Sequence, residues 1–366
     1  MEKNIALLPG DGVGPEVTRQ AVKVLNAIGA IFDHKFNFNT GLIGASAIGQ
    51  TGNPFPKETE QLCMSSDAIL FGAIGDPKYD NDPKAKIRPE QGLLAMRSKL
   101  GLFANLRPVT NYKGLEHMSP LKNDRLQNID LVVFRELTGG IYFGRPSGRS
   151  EDGNTAFDTC TYSKEEIERI SKLAFEAAQG RKKKVTLVDK ANVMATSRLW
   201  RETVKEVAEN YPDVMLDFMF IDSAAMKLIQ QPAYFDIILT ENLFGDILTD
   251  EASVLSGSLG MLPSASVGEK YKLFEPIHGA FTRVAGKNKA NPIGAILSAA
   301  LLLELAFNAK NEAIAVRKAV EQALTEGYGT EDINHGTPSS TEDFGNIVVE
   351  IMNNDNMVDF NPLTII

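Results

Sequence analysis

Residues 4–16 read NIALLPGDGVGPE: the apolar run Asn4 to Leu8 is closed by Pro9, Gly10, Asp11 and Gly12, and Pro15 opens a stretch with apolar side chains at Val17, Ala21, Val24, Leu25 and Ile28. A short apolar run, a Gly-rich turn and a 3.6-residue period spell strand, turn and helix. Proline suits the first helical turn, where its missing N–H has no intrahelical partner to lose. The unit recurs along the chain. A helical stretch at 57–65 leads into an apolar strand at 68–72, and Ser163 with Glu166 forms a capping box before a helix that closes near Gly180. Apolar strands at 185–188, 215–221 and 236–240 alternate with helical patterns at 197–209 and 223–230, and three helical stretches follow Pro292. Such alternation predicts an α/β protein with a mixed, largely parallel sheet. Pro15 stands where a dinucleotide fingerprint of the G-x-G-x-x-G type needs its third glycine, so a dinucleotide would be held here without the usual Rossmann loop, or the glycines simply make a tight turn.

The chain has 366 residues, enough for two domains. Lys and Arg number 38 against 47 Asp and Glu, a net charge of −9, which disfavours nucleic acid as a partner. The longest apolar stretch, 293–307, is too short to span a bilayer and carries Glu304, so no membrane association is expected. Only Cys63 and Cys160 occur, far apart and in no metal-ligand spacing, and no secretory signal is evident, which together fit a reducing cytoplasm.

Several segments carry chemistry-bearing residues. Asp246 and Asp250, four apart, share one helical face, where they either complement a helix N-terminus or, joined by a third carboxylate such as Asp222, offer oxygen ligands to Mg²⁺ or Mn²⁺. Arg97, Arg107 and Arg135 lie among apolar neighbours and need anions, either local ones such as Glu136 or the carboxylates of a diacid. Lys190 follows an apolar strand at its carboxyl end, where ligands of open α/β sheets collect. Tyr142 follows a Gly-Gly turn, and reads either as a core ring with a bonded tip or as a proton donor; His278 is a loop or core histidine or a ligand contact. The run 181–184, one Arg and three Lys, reads as a solvated turn.

Seven motifs in order, LPGDGVGPE (8–16), GLLAMR (92–97), FANLRP (103–108), RELTGGIYFG (135–144), DKAN (189–192), NLFGDILTDE (242–251) and EPIHG (275–279), resemble the β-decarboxylating dehydrogenases, the isocitrate and isopropylmalate dehydrogenase family, almost end to end. The resemblance implies a two-domain fold, not a Rossmann fold, with a discontinuous first domain on the cofactor side, 1–102 plus 256–366, and an inserted second domain, 103–255, holding the dimer interface. It also implies metal-dependent oxidative decarboxylation of 3-isopropylmalate with reduction of NAD, in leucine biosynthesis. Arg97, Arg107 and Arg135 would hold the substrate carboxylates, and Asp222, Asp246 and Asp250 would hold Mg²⁺ or Mn²⁺. Lys190 would take the hydroxyl proton and Tyr142 would protonate the enolate. The site would be shared in a homodimer, with Lys190 and Asp222 coming from the neighbouring subunit. Leu93 and Leu94 match the apolar pair that accepts an isopropyl group, where isocitrate-specific members carry polar residues.

The resemblance places cofactor contacts at Val13, Gly75, Glu90, Gly260, His278, Gly279, Asn291 and Asp332. It departs at Arg283, which stands where the family carries an aspartate facing the adenosine ribose; a cation there suits the 2′-phosphate of NADP, while Asp332 favours NAD. An NADP-linked enzyme, or one acting on other 3-alkylmalates, isocitrate or tartrate, is the alternative within the family. A metal-dependent lyase and a non-catalytic binding protein are the competing classes, and Lys190 with Tyr142 argues against the second.

Overall fold

A computed structural model describes residues 1–81 and 85–354. The chain divides into two compact units: of the described residues, one holds Met1–Leu102, Tyr112–Pro120 and 256–354, the other Phe103–Asn111 and Leu121–Leu255.

In the first unit five strands follow the order Lys35–Thr40, Glu2–Gly10, Ala68–Ala73, Lys272–Pro276, Pro263–Val267; the pairings are parallel except the last, an antiparallel hairpin. In the second the order is Ala104–Thr110, Asp130–Glu136, Ile237–Thr240, Lys184–Asp189, Met215–Phe220, antiparallel only at the first pairing. The molecule is thus an α/β protein with largely parallel strands.

Helix Gly14–Ile31 starts as its sequence indicates, with Pro15 in its first turn, and buries Val17, Ala21, Val24, Leu25 and Ile28. Its close approach to the preceding strand requires glycine: a Cβ on Gly14 would lie 2.1 Å from the Pro9 carbonyl oxygen. Asp11 accepts hydrogen bonds from the backbone N–H groups of Ala45, Ser46 and Gly75 at 2.8, 2.9 and 3.0 Å, and so ties the first turn to two others. The capping box of Ser163 and Glu166 opens helix Lys164–Gln179.

Helix Ile293–Phe307 is apolar all round because it is covered all round, by strands 68–73, 263–267 and 272–276 and by helices Gly14–Ile31 and Lys310–Thr325. Its Glu304 is only 4% exposed and is paired with Arg317 of the adjacent helix. The segment Tyr112–Pro120 groups with the first unit although it falls within 103–255: Leu115 is buried, and Gly114 packs against the carbonyl of Leu324.

The run 181–184 departs from the expected solvated turn. Lys182 and Lys183 are exposed, but the Arg181 guanidinium is buried between Asp130 and Asp236, bonding the latter at 2.8 Å from Nε. The planar fork of Arg181 joins two carboxylates at strand starts, while Lys182 and Lys183 pair at the surface with Asp130 and Asp213.

Removing one member of a buried ion pair leaves the other uncompensated. Glu304→Ala is expected to lower unfolding stability by about 3 kcal/mol, read from the urea midpoint, whereas joint replacement of Glu304 by Leu and Arg317 by Met restores most of it. Equal losses in the single and double variants would show that the charge pairing is not the cause.

Candidate active site

Strand Asp130–Glu136 carries Arg135 at its carboxyl end and the neighbouring strand Ala104–Thr110 carries Arg107, so both guanidinium groups emerge beside helix Asn242–Ser253. Arg135 is 3% exposed; its Nε and Nη2 donate to Asn242 Oδ1 at 3.1 and 2.8 Å, and Nη1 is bonded to Asp246. Arg107 is 7% exposed, with Nε donating to Asn105 at 2.6 Å and Nη1 to Thr249. Its remaining reach is toward the acids: Nη2 lies 3.9 Å from Asp246 and Nη1 lies 4.0 Å from Asp250. Both arginines therefore point a positive edge at the carboxylate pair while their other donors are held by amide and hydroxyl oxygens. Glu136, the local alternative partner, is occupied elsewhere, accepting from the backbone of Thr138 and Gly139 and facing Arg169.

The packing that permits this is tight. A Cβ on Gly245 would stand 2.7 Å from Cγ of Arg135, so the helix can pass over the arginine stem only with glycine at that position.

Tyr142, 40% exposed, donates its hydroxyl to Asp246 Oδ2 at 2.9 Å. Burial, then the charge of Asp246 and the hydrogen bond to it, raise its pKa above the usual phenol value, so the hydroxyl keeps its proton. Asp250 is also raised, first by burial, against the pull of Arg107 and with the push of Asp246. Two carboxylates on successive helical turns repel one another, and positive charge placed between them relieves that repulsion.

Lys190, at the end of strand Lys184–Asp189, is bonded to Asp222 in the first turn of helix Ile221–Gln230. That bond draws the Asp222 carboxyl below its ordinary range. Asp222 thus does not join Asp246 and Asp250 within one chain, and among the described residues no group of three or more His, Cys, Asp and Glu side chains is disposed to hold a metal ion.

In the first unit, helix Glu90–Lys99 bears Leu93, Leu94 and Arg97 on adjoining positions. Arg97 reaches Glu275 at 3.2 Å, and its buried Nε has no hydrogen-bond partner. Gly75 and Glu90 are neighbours, since a Cβ on Gly75 would meet Glu90 Oε1 at 3.2 Å. A cavity of about 650 Å³ collects Val13, Gly260, His278, Gly279, Asn291 and Asp332 in its lining. Asp332 accepts from Ser258, from Asn291 at 3.0 Å and from Thr330 at 2.6 Å, which stiffens one wall. The buried Nε2 of His278 has no partner, and burial holds this imidazole below its usual pKa, hence neutral. Gly75, Glu90 and Arg283 are not among the lining residues; Arg283 is exposed, its guanidinium 5.7 Å from the ring centroid of Phe281.

A family model described as isocitrate/isopropylmalate dehydrogenase matches residues 4–348. The chain belongs to this family. It is 59% identical over 332 residues to the 3-isopropylmalate dehydrogenase of Geobacillus kaustophilus, covering 90% of this chain and 89% of that one. It is 52% identical to the 3-isopropylmalate dehydrogenase of Bacteroides fragilis, over 96% of this chain and 99% of the relative. Among solved structures, isocitrate dehydrogenase from Methylococcus capsulatus superposes with a TM-score of 0.87 at 31% identity, over 96% of this chain and 100% of the other. A β-decarboxylating dehydrogenase from Thermococcus kodakarensis gives 0.79 at 35% identity, over 96% of each chain.

Within this isocitrate/isopropylmalate dehydrogenase, the supporting residues Asn105, Asn242, Gly245 and Thr249 escape the sequence reading. Three of them sit inside the quoted motif at 242–251, but the motif says only that they recur together, not that they grip the arginines. Glu275 and Asp11 escape it for the same reason. A further silent group is Glu241, buried at the head of helix Asn242–Ser253, with Oε2 unpartnered. Burial and then Asp189 push its pKa up to about 7.

Two outcomes follow for this family member. Alanine usually stabilises a helix relative to glycine by up to about 1 kcal/mol, but Gly245→Ala must displace Arg135 and is expected to cost about 2 kcal/mol, read by urea unfolding. A gain would refute the close-packing argument. Because the folded chain keeps a proton on Glu241 that the unfolded chain releases, its contribution to stability falls as pH rises from about 4.5 to about 7. Glu241→Gln should remove that share of the decline and leave the variant the more stable form above pH 7, measured by unfolding at pH 5 and pH 8.

Proposed function

We propose that the chain catalyses the oxidative decarboxylation of 3-isopropylmalate to 4-methyl-2-oxopentanoate and CO₂ with reduction of NAD, a reaction of leucine biosynthesis in the cytoplasm. The observation that carries the substrate is helix Glu90–Lys99, where Leu93 and Leu94 stand beside the buried fork of Arg97. Two partly buried leucines suit a branched alkyl group, and against them a third carboxylate would be unpaired, a loss of several kcal/mol that disfavours isocitrate. Relatives named 3-isopropylmalate dehydrogenase at 52–59% identity support the same choice.

Arg97, Arg107 and Arg135 bind the two carboxylates of the substrate. Their pre-set partners, Glu275, Asn105, Thr249 and Asn242, keep the forks aimed, so little ordering entropy is lost on binding. Asp246 and Asp250 fit Mg²⁺ or Mn²⁺: both are hard oxygen donors four residues apart on one helical face. Asp222 from a partner subunit completes the set. Bound there, a divalent cation stabilises negative charge developing on the substrate oxygens.

Lys190, likewise from the partner, takes the proton from the substrate hydroxyl as hydride leaves the adjacent carbon. Tyr142, whose hydroxyl lies 2.9 Å from Asp246 Oδ2, gives a proton to the enolate carbon left by loss of CO₂. The nicotinamide dinucleotide is held by Val13, Gly75, Glu90, Gly260, His278, Gly279, Asn291 and Asp332. The unpartnered Nε2 of His278 fits a ligand with a hydrogen-bonding edge in the cavity. Arg283, stacked outside the lining, supports NAD over NADP.

The homodimer is supported by apolar side chains left in the open on one unit, Val193, Met226 and Ile247, and by the exposed two-stranded pair Gly148–Arg149 and Ala156–Phe157. Among the described residues no helix is long and apolar enough to cross a membrane.

Absorbance of reduced nicotinamide, followed with 3-isopropylmalate, isocitrate or tartrate and either NAD or NADP in the presence of Mn²⁺, is expected to favour 3-isopropylmalate with NAD. Preference for isocitrate would overturn the reading of Leu93 and Leu94. Asp246→Ala and Lys190→Ala should each abolish turnover, yet refolding the two together should restore about a quarter of wild-type activity, since half the dimers are mixed and each holds one intact site. No recovery would mean that the site is not shared.

A further inference from the structure

Phe281 is expensive for the fold in two ways. Its backbone is left-handed, with φ 38° and ψ 53°, a conformation that a bulky aromatic rarely adopts, and its ring is 53% exposed. Neither cost is offset by core packing, because the ring lines the mouth of the 650 Å³ cavity rather than an interior cluster.

The position is nevertheless held from both flanks. Before it, the Ala280 carbonyl accepts from Val13 N–H at 2.8 Å, and Gly12 fits beneath that carbonyl only because it lacks a Cβ, which would lie 1.9 Å from the oxygen. After it, Val284 N–H donates to the Phe281 carbonyl at 3.2 Å and closes a single turn of 3₁₀ helix. The guanidinium of Arg283 lies over the ring and adds a cation–π contact. A strained, exposed aromatic fixed at the rim of a largely apolar cavity, beside the neutral His278 and the amide of Asn291, has the features of a platform for a flat heteroaromatic ring.

We propose that Phe281 is the surface on which the purine ring of the dinucleotide stacks, with Arg283 steadying the phenyl ring instead of meeting a ribose phosphate. This rests on the cofactor reading above. The resemblance already places the adenosine at this loop; what the proposal adds is that ring area at position 281 determines its affinity.

The test uses AMP, which carries the purine alone, and nicotinamide mononucleotide, which carries the other half. In Phe281→Gly the dissociation constant of AMP measured by calorimetry should rise about tenfold, the size expected for loss of one base–aromatic stack. Binding of nicotinamide mononucleotide, followed by ligand-observed NMR, should be unchanged, and the thermal midpoint should rise as the left-handed strain is released. Phe281→Trp should keep AMP affinity within about twofold. Equal AMP affinity in wild type and Phe281→Gly overturns the proposal alone, and so does equal loss of both half-ligands, which would mark a collapsed loop. Failure of the wild type to bind either AMP or NADH would overturn the cofactor reading and this proposal with it.

Discussion

Keeping the Arg135 guanidinium charged and almost fully buried requires every one of its donors to be met, and the second unit is arranged around that requirement. Asn242 meets two donors with one amide oxygen, Asp246 meets another, and Gly245 clears the path for the stem. These three residues lie within five positions at the start of one helix, so the end of strand Ile237–Thr240 has to deliver that helix to the arginine in one rotational setting. Once it is set, Asp250 and Thr249 fall into place by helical geometry alone, the first toward solvent and the second onto Arg107. A buried cation here contributes little net stability and a great deal of positional definition.

Carboxylates elsewhere are treated in the opposite way. Asp11 and Glu136 are each embraced by backbone N–H groups, and Asp332 by hydroxyls and an amide, so they serve as connectors between turns rather than as reactive groups. Glu241 lacks such an embrace on its Oε2, and burial lifts its pKa to about 7; burial lifts Glu136 as well, against the pull of the N–H groups and the hydroxyl it accepts from.

Much of the architecture was legible because helices and apolar strands announce themselves by period. Pro15, the box of Ser163 with Glu166 and the alternation from 184 to 240 point to their elements without ambiguity. Strands Pro263–Val267 and Lys272–Pro276 carried no such signal, since Pro, Ser and Glu interrupt their apolar positions and their partners are remote in sequence. At the site, charged residues in motifs could be picked out by type, whereas Asn242, Asn105 and Gly245 act through contacts that only the folded chain defines. Arg181 was misread in its run for the same reason: its two aspartates lie 51 and 55 residues away. Phe281 was invisible as a feature because left-handed backbone leaves no mark on composition.

The chain passes from one unit to the other at Leu102, returns at Asn111, departs again at Pro120 and returns at Leu255. Synthesis on a ribosome is directional, so the second unit has all of its described residues available before the first has received its covering helix Ile293–Phe307 or the strands beneath it. The amino-terminal strands therefore emerge with an uncovered apolar face and wait through residues 103–292 for that helix, an interval in which a chaperone or early docking of 14–31 is their protection against self-association.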